Sequence, residues 1–373
     1  MYSKNSKDFV EKKINKDMDL IIREILDAAL DVSSIVLTGG FGRDEGSVLI
    51  DGLKCQPLND YDITIIAEKW KDDIDINLLR VKLAELCGIR QVDLSLKTKK
   101  EILSLKYTMA NYDFINASKV VYGDTDWSKH APEWDSSNMP LVEGILPLFL
   151  FLSSIIQAYP KETKISKENL FWSYQQLTKS ILGWSTAMLV FDGLYDPSYQ
   201  KRNVIFQDNY GHNKKLCNLV EKATAFKLMP VINPCKKNEI QKFWNDATKA
   251  HLEVMKEILS RFYKIQFKNW DTLIHRHKYS FKNILKSLLS IFLRRHHHKN
   301  CLDTDIAKLY MCLSIINNSD EYFKKSQQYY KKLKIVEKVY NPSIDKHEFI
   351  SQLIMSDINA SIFFEQGNII YYE

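Results

Sequence analysis

The sequence predicts an α/β domain over residues 1–135 followed by an α-helical domain over 136–373. Three observations predict it. The first third alternates strand-like and helix-like apolar patterns. From about Met139 onward the apolar residues recur only at helical spacing. Glycine and proline are scarce, at 12 and 9 in 373 residues, which favours long helices with few turns over a sandwich of short strands.

Taking the elements in order, residues 4–31 read as a helix ending in apolar Ile25, Leu26, Ala29 and Leu30. Ser33 to Thr38 is a short apolar strand, and Gly39 to Gly46 a glycine-bearing turn leading into a helix. Tyr61 to Ala67 is a second strand. Ile74 to Cys87 is an amphipathic helix, and Gln91 to Leu96 a strand with strict alternation. Farther on, Leu170, Tyr174, Leu177, Ile181, Trp184, Met188 and Phe191 line one face of a helix closed by Gly193. Trp244, Ala247, His251, Val254, Ile258, Phe262 and Ile265 form a second stripe. Further helical patterns cover 281–293, 303–317 and 320–340, and the last residues read as a hairpin around Gln366-Gly367.

Composition sets broad limits. Hydrophobic residues make up 45% and charged residues 26%, enough to bury a real core. The net charge of +6 is compatible with phosphate-bearing substrates and diagnostic of nothing. Six cysteines without a CxxC pair read as thiols in a reducing cytosol, so a disulfide scaffold is excluded. The charged N-terminus lacks the apolar core of a signal peptide. The most apolar run, Gly144 to Ala158, is short for a membrane span and contains Pro147. It reads as a buried core helix, and no transmembrane segment is expected. These features place the protein in the cytoplasm.

Chemistry concentrates in Ile35 to Ile66. Gly39 and Gly40 remove side chains where backbone must approach a ligand closely. Amides at a helix start suit an anion such as a triphosphate. Arg43 lies one turn in and offers a fork of donors to a phosphate oxygen; Ser47 is a phosphate contact or a local cap, and Glu45 a cap for the helix start. Asp60 and Asp62 flank Tyr61 on a strand, so period-two geometry puts both carboxylates on one face. Asp93 sits the same way between Val92 and Leu94. If the two strands pair, three carboxylates converge. Such hard oxygen ligands suit Mg²⁺ or Mn²⁺, and two such ions would clamp a phosphoryl displacement.

These residues resemble the nucleotidyltransferase superfamily that includes DNA polymerase beta. Its signature is Gly-Gly or Gly-Ser after an apolar residue, then Asp-x-Asp, then a third Asp on a later strand. Here that reads Thr38-Gly39-Gly40, Asp60-Tyr61-Asp62 and Asp93. Phe41-Gly42-Arg43-Asp44-Glu45-Gly46 and Asn59-Asp60-Tyr61-Asp62 are similar to a bacterial group with GxGRxEG and NDYD motifs, often associated with surface-polysaccharide gene clusters. Val121 to Asp124 is similar to the segment that closes the catalytic domain in such enzymes. The resemblance spans residues 33–124. It departs from the superfamily in a spacer of 19 residues between Gly40 and Asp60, which predicts a loop or hairpin over the nucleotide site.

The resemblance implies a polymerase-beta-like mixed sheet and transfer of a nucleoside monophosphate from a nucleoside triphosphate to a small acceptor, such as a surface-glycan precursor. Asp60 and Asp62 would bind two Mg²⁺ or Mn²⁺ ions and Asp93 the catalytic one. Gly39, Gly40, Gly42, Arg43 and Ser47 would hold the phosphates as pyrophosphate leaves. Two other readings are a toxin-like enzyme acting on tRNA and a catalytically inactive phosphate-binding module.

Outside this region, residues 261–299 are strongly basic, with an apolar face formed by Phe281, Ile284, Leu285, Leu288, Leu289 and Phe292. The bland reading is a bundle helix with a solvated edge. The sharper ones are an anionic membrane surface, which would place the protein at the inner face of the membrane, or RNA. His296 to His298 read as a solvated cluster, since consecutive helical residues diverge. Asp124 and Asp126 read as loop caps. Glu143 reads as a helix-start charge, with a general base in the cleft between the domains as the sharper alternative.

Overall fold

The computed structural model describes residues 1–331, apart from 6, 53, 59, 161–165, 237 and 278–297, together with 349, 350 and 353. The helical pattern at 281–293, most of the basic apolar face, the side chains of His296 to His298 and the C-terminal hairpin lie outside the described residues. The chain forms two compact units. One comprises Met1–Glu143 and Leu189–Pro234, the other Gly144–Met188 and Cys235–Glu373. The unit that carries the sheet thus extends past residue 135 to include a later segment.

In the first unit, α1 (Asp8–Ala28) presents Val10, Ile14, Met18, Ile21 and Ile25 at helical spacing, all buried. A two-residue strand, β1 (Ala29–Leu30), follows and pairs with β6 (Lys69–Trp70). The main sheet is four-stranded, in the order β7 (Val92–Lys97), β5 (Tyr61–Ile66), β2 (Ser34–Leu37) and β8 (Lys119–Gly123). It is mixed: β2 runs antiparallel to both β5 and β8, whereas β5 and β7 are parallel. The parallel pair is connected through α3 (Ile76–Cys87), whose start Asp75 caps with its side chain and whose end Gly88 closes in the left-handed conformation. Residues 121–124, expected to close the domain, fall on and just after edge strand β8.

The two faces of the sheet are covered differently. Ile35, Leu37, Tyr61, Ile63, Ile65, Val92 and Leu94 pack with α1 and α3 in one core. Val36 and Ile66 turn to the other face, where Ile102, Phe114 and Trp127 meet them. These come from α4 (Lys99–Leu103), α5 (Met109–Asn116) and the turn after β8. By the two-residue period, Asp62 and Asp93 belong to this second face.

One local expectation changes. The glycine turn does not open into a long helix. It forms a single helical turn, α2 (Gly39–Gly42), after which Asp44 takes φ of 61° and ends it. The chain then makes a hairpin of β3 (Val48–Asp51) and β4 (Lys54–Pro57). This accounts for the long spacer. Ile50 and Cys55 of the hairpin pack against the core cluster built on α1, which ties it to that face.

In the second unit, the apolar run forms two helices rather than one. These are α6 (Leu141–Leu150), which enters the unit at Gly144 and contains Pro147, and α7 (Leu152–Gln157). Both predicted stripes are core faces over most of their length; at their ends Phe191, Phe262 and Ile265 are only half-buried, and Ile265 lies past the helix that carries the rest. Leu170, Tyr174, Leu177, Ile181, Trp184 and Met188 are buried along α8 (Lys167–Phe191), the long helix after which Gly193 turns the chain. Trp244, Ala247, His251, Val254 and Ile258 are buried on α11 (Ile240–Tyr263). The Trp244 indole N–H donates to the Ile155 carbonyl at 2.8 Å. Among the described residues, no helix is long and apolar enough to cross a membrane.

Candidate metal centre

Pairing of β5 with β7 sets Asp62 directly opposite Asp93 in a parallel register. Asp60 joins them from the residue before β5. One carboxylate oxygen of each lies within 4.8 Å of the others. Sequence reasoning placed Asp60 and Asp62 on one face and made Asp93 conditional on strand pairing; that pairing is present.

A like charge nearby raises a buried carboxylate's pKa. Asp62 stands well above the ordinary carboxylate range, first because it is buried and then because Asp60 and Asp93 face it. The positive charges of Arg43 and Lys227 oppose the rise. Asp93 is also raised, chiefly by burial, with the hydrogen bond from Gln91 opposing it and Asp60 reinforcing it. Asp93 is 3% exposed, and its Oδ2 receives no hydrogen bond. The carboxyl of Asp60 is a direct neighbour of the Asp93 carboxyl. Two carboxyl groups in contact need a shared proton or a cation between them. Among the described residues, this is the one group of three or more potential ligands. The all-oxygen donor set fits Mg²⁺ or Mn²⁺.

Tyr61 anchors the same strand on its opposite face. Its hydroxyl donates to Asp17 Oδ2 at 2.7 Å, and Lys13 Nζ reaches the same carboxylate at 2.6 Å. The glycine turn is held equally closely. The Thr38 N–H donates to the Asp62 carbonyl at 2.8 Å, which ties the turn to β5. At Gly39, φ is 61°, and a Cβ there would lie 1.9 Å from Asp62 Oδ2. Gly39 and Gly40 stand in the first turn of α2, where amides have no partner within the helix.

The polar residues after the glycines point elsewhere than the local reading suggests. Arg43 Nη1 forms an ion pair with Asp113 at 3.0 Å, and the Tyr195 hydroxyl donates to the other oxygen of that carboxylate at 2.7 Å. Arg43 Nε is buried and has no hydrogen-bond acceptor. Glu45, expected to cap its own helix, is fully buried and caps a distant one. It accepts from Ser198 Oγ (2.7 Å), Tyr199 N (2.8 Å) and Gln200 N (3.0 Å) at the start of α9 (Tyr199–Tyr210). The Ser47 hydroxyl donates to the Lys227 carbonyl near the end of α10 (Lys214–Leu228). Positions 45 and 47 therefore each grip one helix of the segment 189–234.

That grip brings in side chains the sequence did not flag. Tyr199 is ringed by Arg202, Arg43 and Lys227, with centroid distances of 4.3, 5.4 and 5.4 Å. This cationic wall acts on Asp62 through Arg43 and Lys227. Removing the Glu45 carboxylate leaves two backbone N–H groups and a hydroxyl without their acceptor. Glu45→Ala is expected to lower stability by about 2–4 kcal/mol in urea denaturation, whereas Ser198→Ala is expected to cost about 1 kcal/mol. Equal costs for the two would refute the capping role.

The remaining candidates are structural. Asp124 Oδ1 accepts from the Asp126 N–H at 2.8 Å, and Asp126 pairs with Lys129. Glu143 accepts from the Met109 N–H at 3.0 Å, so it serves the start of α5. Cys55, Cys87, Cys217, Cys235 and Cys312 are free thiols. From the basic run, Asp271 pairs with Lys325 at 2.6 Å, while Trp270, Leu273 and Ile274 are buried. No family model matches the chain, and neither a curated protein nor a solved structure does.

Proposed function

We propose that the protein is a metal-dependent nucleotidyltransferase that moves a nucleoside monophosphate from a nucleoside triphosphate to a hydroxyl or phosphate of a small acceptor. The observation that carries the reading is the buried Asp93 oxygen without a donor, set against Asp60 and Asp62 within 4.8 Å. A structural acidic cluster would be relieved by lysine, arginine or amide donors. Here the relief is incomplete, and the local fit is to hard divalent cations.

Asp60, Asp62 and Asp93 would hold Mg²⁺ or Mn²⁺. When bound, such ions polarise a phosphate and neutralise charge on the leaving group. The chain's own residues supply the rest. The glycine turn lets phosphate approach the backbone beside Asp62. Arg43 and Lys227 place positive charge on the same side, where pyrophosphate charge develops. For a hydroxyl acceptor, its oxygen forms the new bond to the α-phosphorus as the bond to pyrophosphate breaks. For its proton, Asp93 is the nearby carboxylate that would serve as the base.

The reading is tested by pyrophosphate release from each of four nucleoside triphosphates with Mg²⁺. Asp60→Asn and Asp93→Asn are each expected to lower the rate by at least about 10³-fold, as losses of essential charge at a reaction centre do. Full activity in either variant, or chelator-insensitive activity in the parent protein, would sink it.

A further inference from the structure

We propose that Gln91 is a positioning residue for Asp93, holding that carboxylate so that one oxygen stays available to a divalent cation. The inference rests on the metal-site reading above. Gln91 stands two residues before Asp93, just ahead of β7, and its side chain reaches the same side as Asp93. The amide Nε2 donates to Asp93 Oδ1 at 2.7 Å. The other oxygen, Oδ2, is left without a donor, and the Asp60 carboxyl neighbours this carboxylate.

The choice of an amide matters physically. A lysine or arginine in this place would form an ion pair, satisfy the carboxylate's charge and compete with an incoming cation. A neutral N–H fixes the rotation of the carboxylate and leaves its full negative charge. That rotation is otherwise soft, because the terminal torsion of an aspartate has a broad, two-fold profile.

The backbone beneath Asp93 is fixed as well, so the side-chain rotation is the freedom left to control. On the same face one step inward, Thr64 stands opposite Ser95, and their hydroxyls are 2.9 Å apart. That pair locks the register that sets Asp62 against Asp93, and a one-residue slip would turn Asp93 to the other face. From α3, Arg80 donates to the carbonyl of Leu94 and holds the strand at the next residue.

The test uses the full chain and Mn²⁺ alone, titrated by electron paramagnetic resonance. Gln91→Met, similar in shape and without the donor, is expected to raise the Mn²⁺ dissociation constant about 10–100-fold, the usual effect of losing a partner that orients a ligand. In an Asp93→Asn background the same change is expected to shift it by less than about threefold, because the carboxylate that Gln91 orients is gone. Unchanged Mn²⁺ binding in Gln91→Met overturns the inference and leaves the metal site standing. So does an equal loss in both backgrounds, which marks a general structural effect. No Mn²⁺ binding by the parent protein overturns both. If Gln91→Met does not fold, Gln91→Asn, with an arm one methylene shorter, takes its place with the same expectations.

Discussion

Gly39→Ala is expected to abolish metal binding and transfer while leaving the protein folded. The added Cβ would sit 1.9 Å from Asp62 Oδ2, 2.9 Å from its Cγ and 3.3 Å from its Cβ. The atom met most closely is the end of a rotatable side chain, so the fold can yield at small cost. A non-glycine residue at φ of 61° adds roughly 1–2 kcal/mol of strain. What yields is the Asp62 carboxylate itself, which must leave the position it holds within 4.8 Å of Asp60 and Asp93. A displacement of about 1 Å in a reacting group can cost about 10²-fold in rate, and here the proposed metal ligand Asp62 would move by at least that much. The expected result is a loss of at least about 10²-fold in Mn²⁺ affinity and in pyrophosphate release, with a circular dichroism spectrum like the parent's. Gly42→Ala provides the contrast. Its Cβ would lie 2.3 Å from the Leu37 carbonyl oxygen, which is backbone in the central strand. That variant is expected to lose stability first. A Gly39→Ala protein that binds Mn²⁺ as tightly as the parent would show that Asp62 is not held where metal binding needs it.

The contrast between these glycines also shows what was legible in the sequence. Asp60 and Asp62 needed only the strand period to share a face. Asp93 needed one further assumption, parallel pairing of β5 and β7, and the helical crossover α3 between them makes that arrangement natural. Gln91 was equally legible, because the same period places it with Asp93. Arg43, Glu45 and Ser47 were harder. A local reading turns them toward their own helix start and a bound phosphate. Their observed partners, Asp113, Ser198 and Lys227, lie 70, 153 and 180 residues away in sequence. No periodicity reports such contacts. The absent long helix has a local cause instead. Asp44 in the left-handed conformation stops α2 after one turn, and apolar Val48, Leu49 and Ile50 then prefer a strand. In the helical unit the stripes marked one core face of each helix, but α8 is buried all round from Ile181 to Val190, which a 3.6-residue period does not report.

One residue of those stripes, His251, carries the second large expected effect. It is fully buried on α11. Its Nε2 is 2.7 Å from the Leu148 carbonyl, which can only accept, so the neutral ring carries its proton there and Nδ1 accepts from Ser180 Oγ at 3.0 Å. Burial pushes its pKa down to about 4. His277, buried against Phe149 and bonded through Nδ1 to the Tyr263 hydroxyl at 2.6 Å, is pushed down by burial to about 3. The sign follows from which state takes up protons. In the unfolded chain both imidazoles protonate near pH 6.5, whereas in the folded protein they stay neutral until far lower pH. Their stabilising contribution is complete above about pH 6.5 and declines as the pH falls toward 4. At 1.36 kcal/mol per pH unit, each histidine is expected to remove about 3 kcal/mol by pH 4. Asp62 and Asp93 oppose this, because a raised carboxylate pKa makes the folded state gain stability as it protonates. On the proposed metal-site reading, saturating Mg²⁺ would hold those carboxylates ionised and remove their contribution. Urea denaturation with Mg²⁺ at a series of pH values, followed by tryptophan fluorescence, is therefore expected to show stability falling steadily below pH 6.5. His251→Asn is expected to be less stable at neutral pH yet to fall less steeply, since one proton-binding site has gone from the unfolded state. A slope unchanged in that variant would mean that His251 is already charged in the folded protein.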